Sequence, residues 1–170
     1  MQNSWNDETF KPKYPFICGT TNAASYMFYN NTTTLTAIDM PIILQNDCKF
    51  SEVFNSCLIL KRISSLTFNE NTAFTNGFIR CIALEELNIK GIIAQSGFDT
   101  SWCKNLNKTS IMSIINALSA TTTGLTVKIS LTAVNNAFET SEGLANGSTS
   151  AEWIDLVATK SNWTISLINS

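Results

Sequence analysis

The chain repeats itself every 24 residues in its middle third. The apolar positions in register with this period are Phe50, Phe74 and Phe98; Phe54, Phe78 and Trp102; Cys57 and Cys81; Leu60 and Leu84; and Ile63 and Leu87. Together they form the pattern F-x-x-x-F-x-x-C-x-x-L-x-x-[I/L]. A fixed period of this size predicts a solenoid, because each unit is too small to bury its own apolar face and must stack on its neighbours.

Each repeat combines two local periods. The apolar residues from Phe50 to Cys57 fall at the i, i+3, i+4, i+7 spacing of a short amphipathic helix. Leu87 and Ile89 instead alternate with polar neighbours, as in a strand with one buried face. The sequence therefore predicts an α/β solenoid with parallel strands on one wall and short helices on the other.

A degenerate copy of the repeat precedes the regular ones. Phe28 lies 26 residues before Phe54, and Asn31 takes the position of the cysteine. Leu35 follows Phe28 by seven residues instead of six, so one residue is inserted in the N-N-T-T-T segment. Because Leu35 and Ile38 keep the L-x-x-I spacing, we expect this unit to form an irregular first coil.

This pattern resembles the BspA-like leucine-rich repeats of bacterial surface proteins, gut bacteria and their phages. The resemblance rests on Met27-Phe28, Leu35 and Ile38 in the first repeat and on F-x-x-C-x-x-L-x-x-[I/L] in the next two. The C-terminal third also resembles the segment that ends many such arrays, so the resemblance covers residues 24–170. It implies a leucine-rich-repeat solenoid with an α/β C-terminal cap, acting as a binding or adhesion module.

Three regions follow from the repeat boundaries. Residues 1–23 form an N-terminal segment rich in aromatic residues and proline, 24–106 hold the repeats, and 107–170 form a helix–strand cap. Two prolines, Pro12 and Pro15, favour extended or turn backbone in the first region. Its aromatic residues either cover the exposed first repeat or belong to the tail of an earlier one.

The cap is predicted to contain longer helices than the repeats. The helix-forming stretches are 111–118, with Thr109 or Ser110 as N-cap, then Ala133 to Phe138, and AEWIDLVATK, with Ser150 as N-cap. The strands are LTVKISL, which follows Gly124, and NWTISL; a loop is expected over 139–150. The K-I-S-L of the first strand recurs as T-I-S-L in the second. We therefore predict two helix–strand units closing the solenoid.

Composition restricts the classes of partner. Apolar residues make up 44% of the chain, whereas charged residues make up only 14%, with Asn, Ser and Thr abundant. Such a polar but weakly charged surface suits an extracellular or assembled protein. A net charge of −2 without a basic cluster argues against nucleic-acid binding. We expect neither membrane insertion nor a signal peptide in this chain, since no stretch has the required apolar run.

Cysteine and histidine usage argues against a metal site. The five cysteines are scattered singly and histidine is absent, so zinc ligands are lacking. Cys57 and Cys81 occupy equivalent repeat positions, where we expect them to pack as small apolar groups without forming a disulfide. Cys18, Cys48 and Cys103 support no prediction. No cofactor is expected.

Sequence features of a catalytic site are also lacking. Without histidine the most common general base is absent, and the carboxylates are dispersed. Glu85 and Glu86 are adjacent on a strand, so their side chains point to opposite faces and make a poor catalytic pair. No phosphate-binding glycine motif and no nucleophile elbow occurs. We therefore expect a protein that is not an enzyme.

A binding surface is expected on the strand wall. Its polar positions are Thr36, Lys61, Arg62, Ser64, Glu85, Glu86 and Asn88. The 24-residue period pairs Lys61 with Glu85 and Arg62 with Glu86 on neighbouring repeats. Such cross-strand pairs contribute about 0.2–1 kcal/mol each, so these charges either neutralise one another, which we favour, or contact a ligand.

The aromatic residues of the repeats are expected to form core. Phe50, Phe54, Phe74, Phe78, Phe98 and Trp102 keep both helical spacing and repeat phase. Trp153 and Trp163 are expected to pack inside the cap, whereas Trp5 and Tyr29 are freer to make outside contacts.

Taken together, these features predict a non-catalytic protein-binding or adhesion module of a bacterial surface or phage-encoded protein. Its partner would be a protein or cell-surface ligand, with a homo-oligomer or a larger parent assembly possible. The alternative is a structural component of a phage virion or tail, whose repeats contact sister subunits. The expected location is the cell surface or extracellular space, or the virion.

Overall fold

The computed structural model describes residues 9–10, 14–19, 25–45, 48–138 and 147–169. Within these ranges the chain winds into an α/β solenoid of about four turns, here called coils, with parallel strands and three α-helices. The first three coils span 25–49, 50–73 and 74–97, and a fourth begins at residue 98. No helix in the described ranges is long and apolar enough to cross a membrane.

One strand from each of the first three coils forms the strand wall. These strands are β3 (Ala37–Leu44), β4 (Arg62–Phe68) and β5 (Glu86–Gly91), and neighbours run parallel. Ile38 pairs with Ile63 and Ile63 with Leu87, as the repeat predicts. Each pairing then shifts register near the middle of the strands. The parallel strand wall of the sequence prediction is confirmed.

The opposite wall differs from the prediction, because turns replace the expected short helices. In the described part of coils one to three there is no helix. The backbone N–H groups of Phe50, Glu52, Phe54 and Ser56 donate across to carbonyls of the third coil at 2.8–3.1 Å, not back along their own segment. Glu52 and Ser56 have φ values of 52° and 62°, which no right-handed helix contains.

The same left-handed turn geometry recurs in every one of these coils. The residues with positive φ are Tyr26, Asn30, Glu52, Ser56, Asn76 and Arg80. They come in pairs four residues apart at one place in each coil. The i, i+3, i+4, i+7 pattern therefore reflects a turn that points those side chains inward, a feature it shares with a helix.

Two columns of phenylalanine rings run through the core along the solenoid axis. Phe28, Phe54 and Phe78 stack with nearly parallel rings and centroid distances of 5.5 and 5.7 Å. The second column joins Phe50, Phe74 and Phe98 at 5.6 and 5.3 Å. All six rings are buried. The assignment of these phenylalanines to the core is confirmed.

A third column consists of buried thiols. Cys57 and Cys81 are free and fully buried, as predicted, and each Sγ donates to a phenylalanine carbonyl of the preceding coil at 3.0 Å. Cys103 continues the column, with its Sγ 3.9 Å from the carbonyl oxygen of Phe78. Burial raises the pKa of all three thiols, and it raises that of Cys57 to about 12.

This thiol column makes stability depend on alkaline pH. In the unfolded chain the Cys57 thiol ionises near its ordinary value of 9.0, whereas its folded pKa is about 12. Its contribution is therefore complete below pH 9 and is lost as pH rises towards 12. At pH 10.5, relative to pH 8, the loss from this thiol is about 2 kcal/mol. Denaturant unfolding at both pH values should show a loss smaller by that amount in Cys57→Ala; an equal loss would contradict a buried protonated thiol.

The first coil accommodates its inserted residue through Asn31. Its backbone N–H bonds the carbonyl of Phe28 at 3.3 Å, just as Cys57 bonds Phe54 one coil later. Its side-chain oxygen accepts from the backbone N–H groups of Thr34 and Leu35 at 3.2 and 2.9 Å. The amide thus organises the longer turn at the place where the regular coils hold a thiol.

The fourth coil is shorter than the 24-residue period, and this overturns the prediction for Trp102. Cys103 holds the thiol position only 22 residues after Cys81. Thr100, three residues before Cys103, therefore occupies the place of Phe78 and is fully buried. Trp102 falls at the outward position of Arg80 and is 40% exposed.

A helix takes the place of the fourth strand. Helix α1 (Lys108–Ala117) packs against β5, and its N-cap is Asn107, not Thr109 or Ser110 as predicted. Ser110 Oγ accepts from the backbone N–H of Leu87 at 2.8 Å. Ser113 Oγ accepts from the N–H of Ile89 at 3.1 Å and lies 3.0 Å from the carbonyl oxygen of Leu87. Hydroxyl groups thus satisfy the edge of β5 where a fourth strand would lie.

Removing the Ser110 hydroxyl tests this edge closure. Ser110→Ala leaves the buried N–H of Leu87 without its acceptor, which should lower the unfolding free energy by about 1–3 kcal/mol. Thr109→Ala, at the exposed neighbouring position, is the matched control and should change stability by less than about 0.5 kcal/mol. Equal effects in urea unfolding would mean that Ser110 does not close the sheet.

The cap continues as a second, three-stranded parallel sheet. Its strands are β6 (Asp99–Thr100), β7 (Leu125–Ser130) and β8 (Trp163–Ile168), in that order. Between β7 and β8 lie α2 (Leu131–Ala137), a 3-10 helix (Gly147–Thr149) and α3 (Ala151–Ala158). The two predicted strands and the helices α2 and α3 are confirmed. The K-I-S-L and T-I-S-L motifs pair two residues out of step, with Lys128 opposite Ser166.

Side-chain hydrogen bonds hold the cap together. Ser150 is the N-cap of α3 as predicted, accepting from Trp153 N–H at 3.2 Å. The Lys160 ammonium donates to the carbonyls of Asn116 and Leu118 at the end of α1. Trp163 Nε1 donates to the carbonyl of Ser119 at 2.9 Å. Both tryptophans are buried, as expected; of the predicted 139–150 loop, residues 139–146 lie outside the described residues.

Two short strands cover the free edge of β3. They are β1 (Thr9–Phe10) and β2 (Phe16–Cys18), both parallel to β3. Cys18 forms a disulfide with Cys48, which fastens β2 to the end of the first coil. Tyr14 is exposed and Phe16 packs partly against the core; Trp5 and Pro12 lie outside the described residues. The chain before residue 24 therefore does cover the first coil.

Candidate binding groove on the strand wall

A groove of about 400 Å³ lies where the strand wall meets the start of α1. Its floor is formed by β4 and β5, whose outward residues alternate with the buried Ile63 and Leu87. The groove exists because α1 replaces a fourth strand, and the helix forms a raised rim beside the flat sheet. Its lining residues are Arg62, Ile63, Ser64, Glu86, Leu87, Asn88, Asn107, Thr109 and Ser110.

The positive charge in the groove is held by an ion pair along the wall. The Arg62 guanidinium donates to Asp39 of β3 through two bonds, Nε to Oδ1 at 2.7 Å and Nη2 to Oδ2 at 2.9 Å. Arg62 and Glu86 are Cα partners in the sheet, as the repeat predicts. The predicted ion pairs of Arg62 with Glu86 and of Lys61 with Glu85 are wrong, since neither lies within 4.0 Å in the described structure. The bidentate geometry offered by Asp39 explains the preference of Arg62.

Several groove side chains are already used by the fold. Asn107 caps α1 by accepting from Ser110 N–H at 2.9 Å, and the Ser110 hydroxyl bonds the edge of β5. These contacts fix the rim in position. The groove therefore has a rigid frame before any ligand arrives, which reduces the ordering cost of binding.

The remaining polar side chains are available to a ligand. Ser64, Glu86, Asn88 and Thr109 make no side-chain hydrogen bond to other described residues. They offer one carboxylate, one amide and two hydroxyls. Because Asp39 neutralises Arg62, Glu86 gives the groove a negative charge. This combination favours a ligand that presents hydrogen-bond donors, such as an amide, a hydroxyl or a basic side chain.

The structure places the predicted wall residues in two groups. Arg62, Ser64, Glu86 and Asn88 are brought together in the groove, whereas Thr36, Lys61 and Glu85 do not line it. The sequence prediction missed Asn107, Thr109 and Ser110. An N-T/S-rich start of a helix at the position of the next strand is the signal that points to them, since it marks where the helix rim begins.

The other ionisable groups of the described residues do not converge. No group of three or more His, Cys, Asp or Glu side chains in these ranges is arranged to hold a metal ion. Glu85 and Glu86 are both exposed, and only Glu86 faces the groove. The three free thiols are buried in the core, with raised pKa values that suppress the reactive thiolate.

Comparison of the chain with models of known protein families, with curated proteins and with solved structures finds no match.

Proposed function

We propose that this chain is a non-catalytic module that binds a protein or cell-surface ligand through the groove between the strand wall and α1. The carrying observation is that four uncommitted polar side chains line one groove with a rigid frame. A rigid polar groove without converging acid–base groups suits recognition better than catalysis.

We further propose that the coils are leucine-rich repeats of the BspA-like type. The positions on which that resemblance rests are buried in the coils: Leu35, Leu60 and Leu84 precede the strands, and Ile38, Ile63 and Leu87 lie within them. Cys57 and Cys81 hold the conserved-looking thiol place of the pattern. By this resemblance the module belongs to a bacterial surface protein or a phage-encoded protein of a gut bacterium.

The Cys18–Cys48 disulfide supports an extracellular location. Disulfides persist in oxidising surroundings and are rare in reducing compartments. The polar but weakly charged surface agrees with that location. We therefore place the module at the cell surface, in the extracellular space or on a virion.

Adjacent glutamates provide a matched test of the groove. Glu86→Lys reverses the groove charge, whereas Glu85→Lys makes the same change at the neighbouring exposed residue outside it. The probes are arrayed extracellular-matrix and mucosal proteins and intact bacterial cells. For any probe that the unaltered protein binds, we expect at least a ~10-fold weaker affinity for Glu86→Lys and less than a ~3-fold change for Glu85→Lys.

Two outcomes would count against this proposal. Equal losses for both variants would show a general charge effect, not recognition in the groove. Turnover of a substrate that disappears in Glu86→Lys would show a catalytic site.

The second candidate is a structural component of a phage virion or tail. The uncovered outer edge of β8 favours it, since an open sheet edge is suited to contacts between subunits. The genes beside the coding sequence separate the candidates. A tail or capsid operon favours the virion component, and an export or sorting signal on the parent chain favours the cell-surface module.

A further inference from the structure

The outer edge of β8 is the one open edge among the sheets of the described residues. The edge of β5 is closed by hydroxyls of α1, and the edge of β3 is covered by β1 and β2. β8 pairs with β7 on one side only. Its other side presents unpaired backbone N–H and C=O groups, which are a template for a further strand.

The side chains of β8 also lack a covering layer. In β7, Val127 and Ile129 are fully buried, but their partners Ile165 and Leu167 in β8 are partly exposed. Only Trp163 is buried in this strand. A solenoid end normally carries a polar outer face, because an apolar one invites association. The end at β8 does not meet that requirement.

This edge carries no charge that would oppose self-pairing. Residues 163–169 contain no Asp, Glu, Lys, Arg or proline, the residues by which natural edges avoid association. On the neighbouring strand the Lys128 ammonium lies 3.6 Å from Asp99 and is neutralised by it. A neutral, apolar edge is best matched by another neutral, apolar edge.

We propose that two copies of this chain associate through β8, with the two strands antiparallel about a two-fold axis. In that arrangement neutral faces neutral and apolar faces apolar, and no other component is required. The three-stranded sheets of the two copies join into one continuous sheet. Because the opposite end of each solenoid is covered, association stops at the dimer.

The contact is small, so the dimer depends on concentration. Six residues of extended strand span about 20 Å. An edge contact of that length buries much less than the ~1,600 Å² of a standard protein interface. We therefore expect monomer at low concentration and dimer at high concentration.

Sedimentation equilibrium tests the proposal directly. Between about 1 μM and about 500 μM the average mass should rise from 18.7 kDa towards twice that value. Placing lysines at Thr164→Lys and Ser166→Lys puts like charges across the two-fold axis and should raise the dissociation constant at least ~10-fold. The control Thr126→Lys alters the exposed partner of Thr164 on the inner strand β7 and should change it less than ~3-fold.

Hydrogen exchange locates the contact without any variant. In the unaltered protein the amides of 163–168 that face away from β7 should exchange more slowly at high than at low concentration. A constant mass of 18.7 kDa over the whole range overturns the proposal. A dimer whose protection lies elsewhere, or that survives the double lysine variant unchanged, also overturns it.

Discussion

Phe78→Ala lowers the unfolding free energy of this protein by about 3–5 kcal/mol, comparable to the whole stability of a marginal domain. Phe78 is fully buried in the third coil. Its ring centroid lies 5.7 Å from that of Phe54 in the preceding coil and 4.9 Å from Phe74. It also meets Phe98 of the following coil at 5.8 Å. Truncation therefore opens a cavity that touches three coils at once.

Phe28→Ala is the matched control for this prediction. Phe28 begins the same ring column and stacks on Phe54 at 5.5 Å, but it sits at the end of the column in the irregular first coil. A cavity there can collapse more readily, so we expect a smaller loss, by about 1–2 kcal/mol, than for Phe78→Ala. Guanidinium unfolding of both variants measures the difference. Equal, small losses would be incompatible with a core stacked along the axis.

Removing the Cys18–Cys48 bridge is expected to have the next largest effect. The bridge closes a loop with a sequence separation of 30 residues and holds β2 against β3. Loss of a cross-link of this span costs about 3–4 kcal/mol, mainly because the unfolded chain gains freedom. The double variant Cys18→Ser/Cys48→Ser should unfold at correspondingly lower denaturant concentration than the oxidised protein.

Reduction of the unaltered protein provides the control for this variant. Dithiothreitol should lower the stability of the unaltered protein towards that of the double variant and leave the double variant unchanged. Alkylation in denaturant without reductant should modify three of the five cysteines, Cys57, Cys81 and Cys103. Modification of all five, with no effect of reductant, would rule out the bridge.

The repeat period predicts the solenoid because it reflects packing between coils. Residues 24 apart, such as Phe54 and Phe78, touch directly, so their spacing appears in the sequence. The helices predicted on the opposite wall fail for a local reason. Inward side chains at i, i+3, i+4 and i+7 arise equally in a turn whose N–H groups bond the next coil, as at Glu52 and Ser56.

The exposed position of Trp102 shows a second limit. Its 24-residue distance from Phe78 is coincidental, because the thiol of Cys103 and not the aromatic residue sets the phase of the last coil. A coil two residues shorter cannot be recognised from aromatic spacing alone. The buried Thr100 in the aromatic place gives no apolar signal of its own.

About half of the candidate groove follows from the sequence. Arg62, Ser64, Glu86 and Asn88 are outward positions of strands, and alternation predicts them. The rim formed by Asn107 and Thr109 depends on a helix docking beside β5, a long-range event that the repeat does not encode. The pairing of Arg62 with Asp39 depends on the reach of a long side chain, which repeat register alone does not predict.

The junction between α1 and β5 makes the array extensible from within. Ser110 and Ser113 contact only main-chain atoms of Leu87 and Ile89, so the helix recognises a backbone course and no particular side chain. Any regular coil can therefore occupy the last position before the cap. Duplication of the 24 residues 61–84 would add one coil, about 4.8 Å of length, and keep both ends intact. Genes encoding such a chain can lengthen it by copying a single segment, without inventing a new terminus.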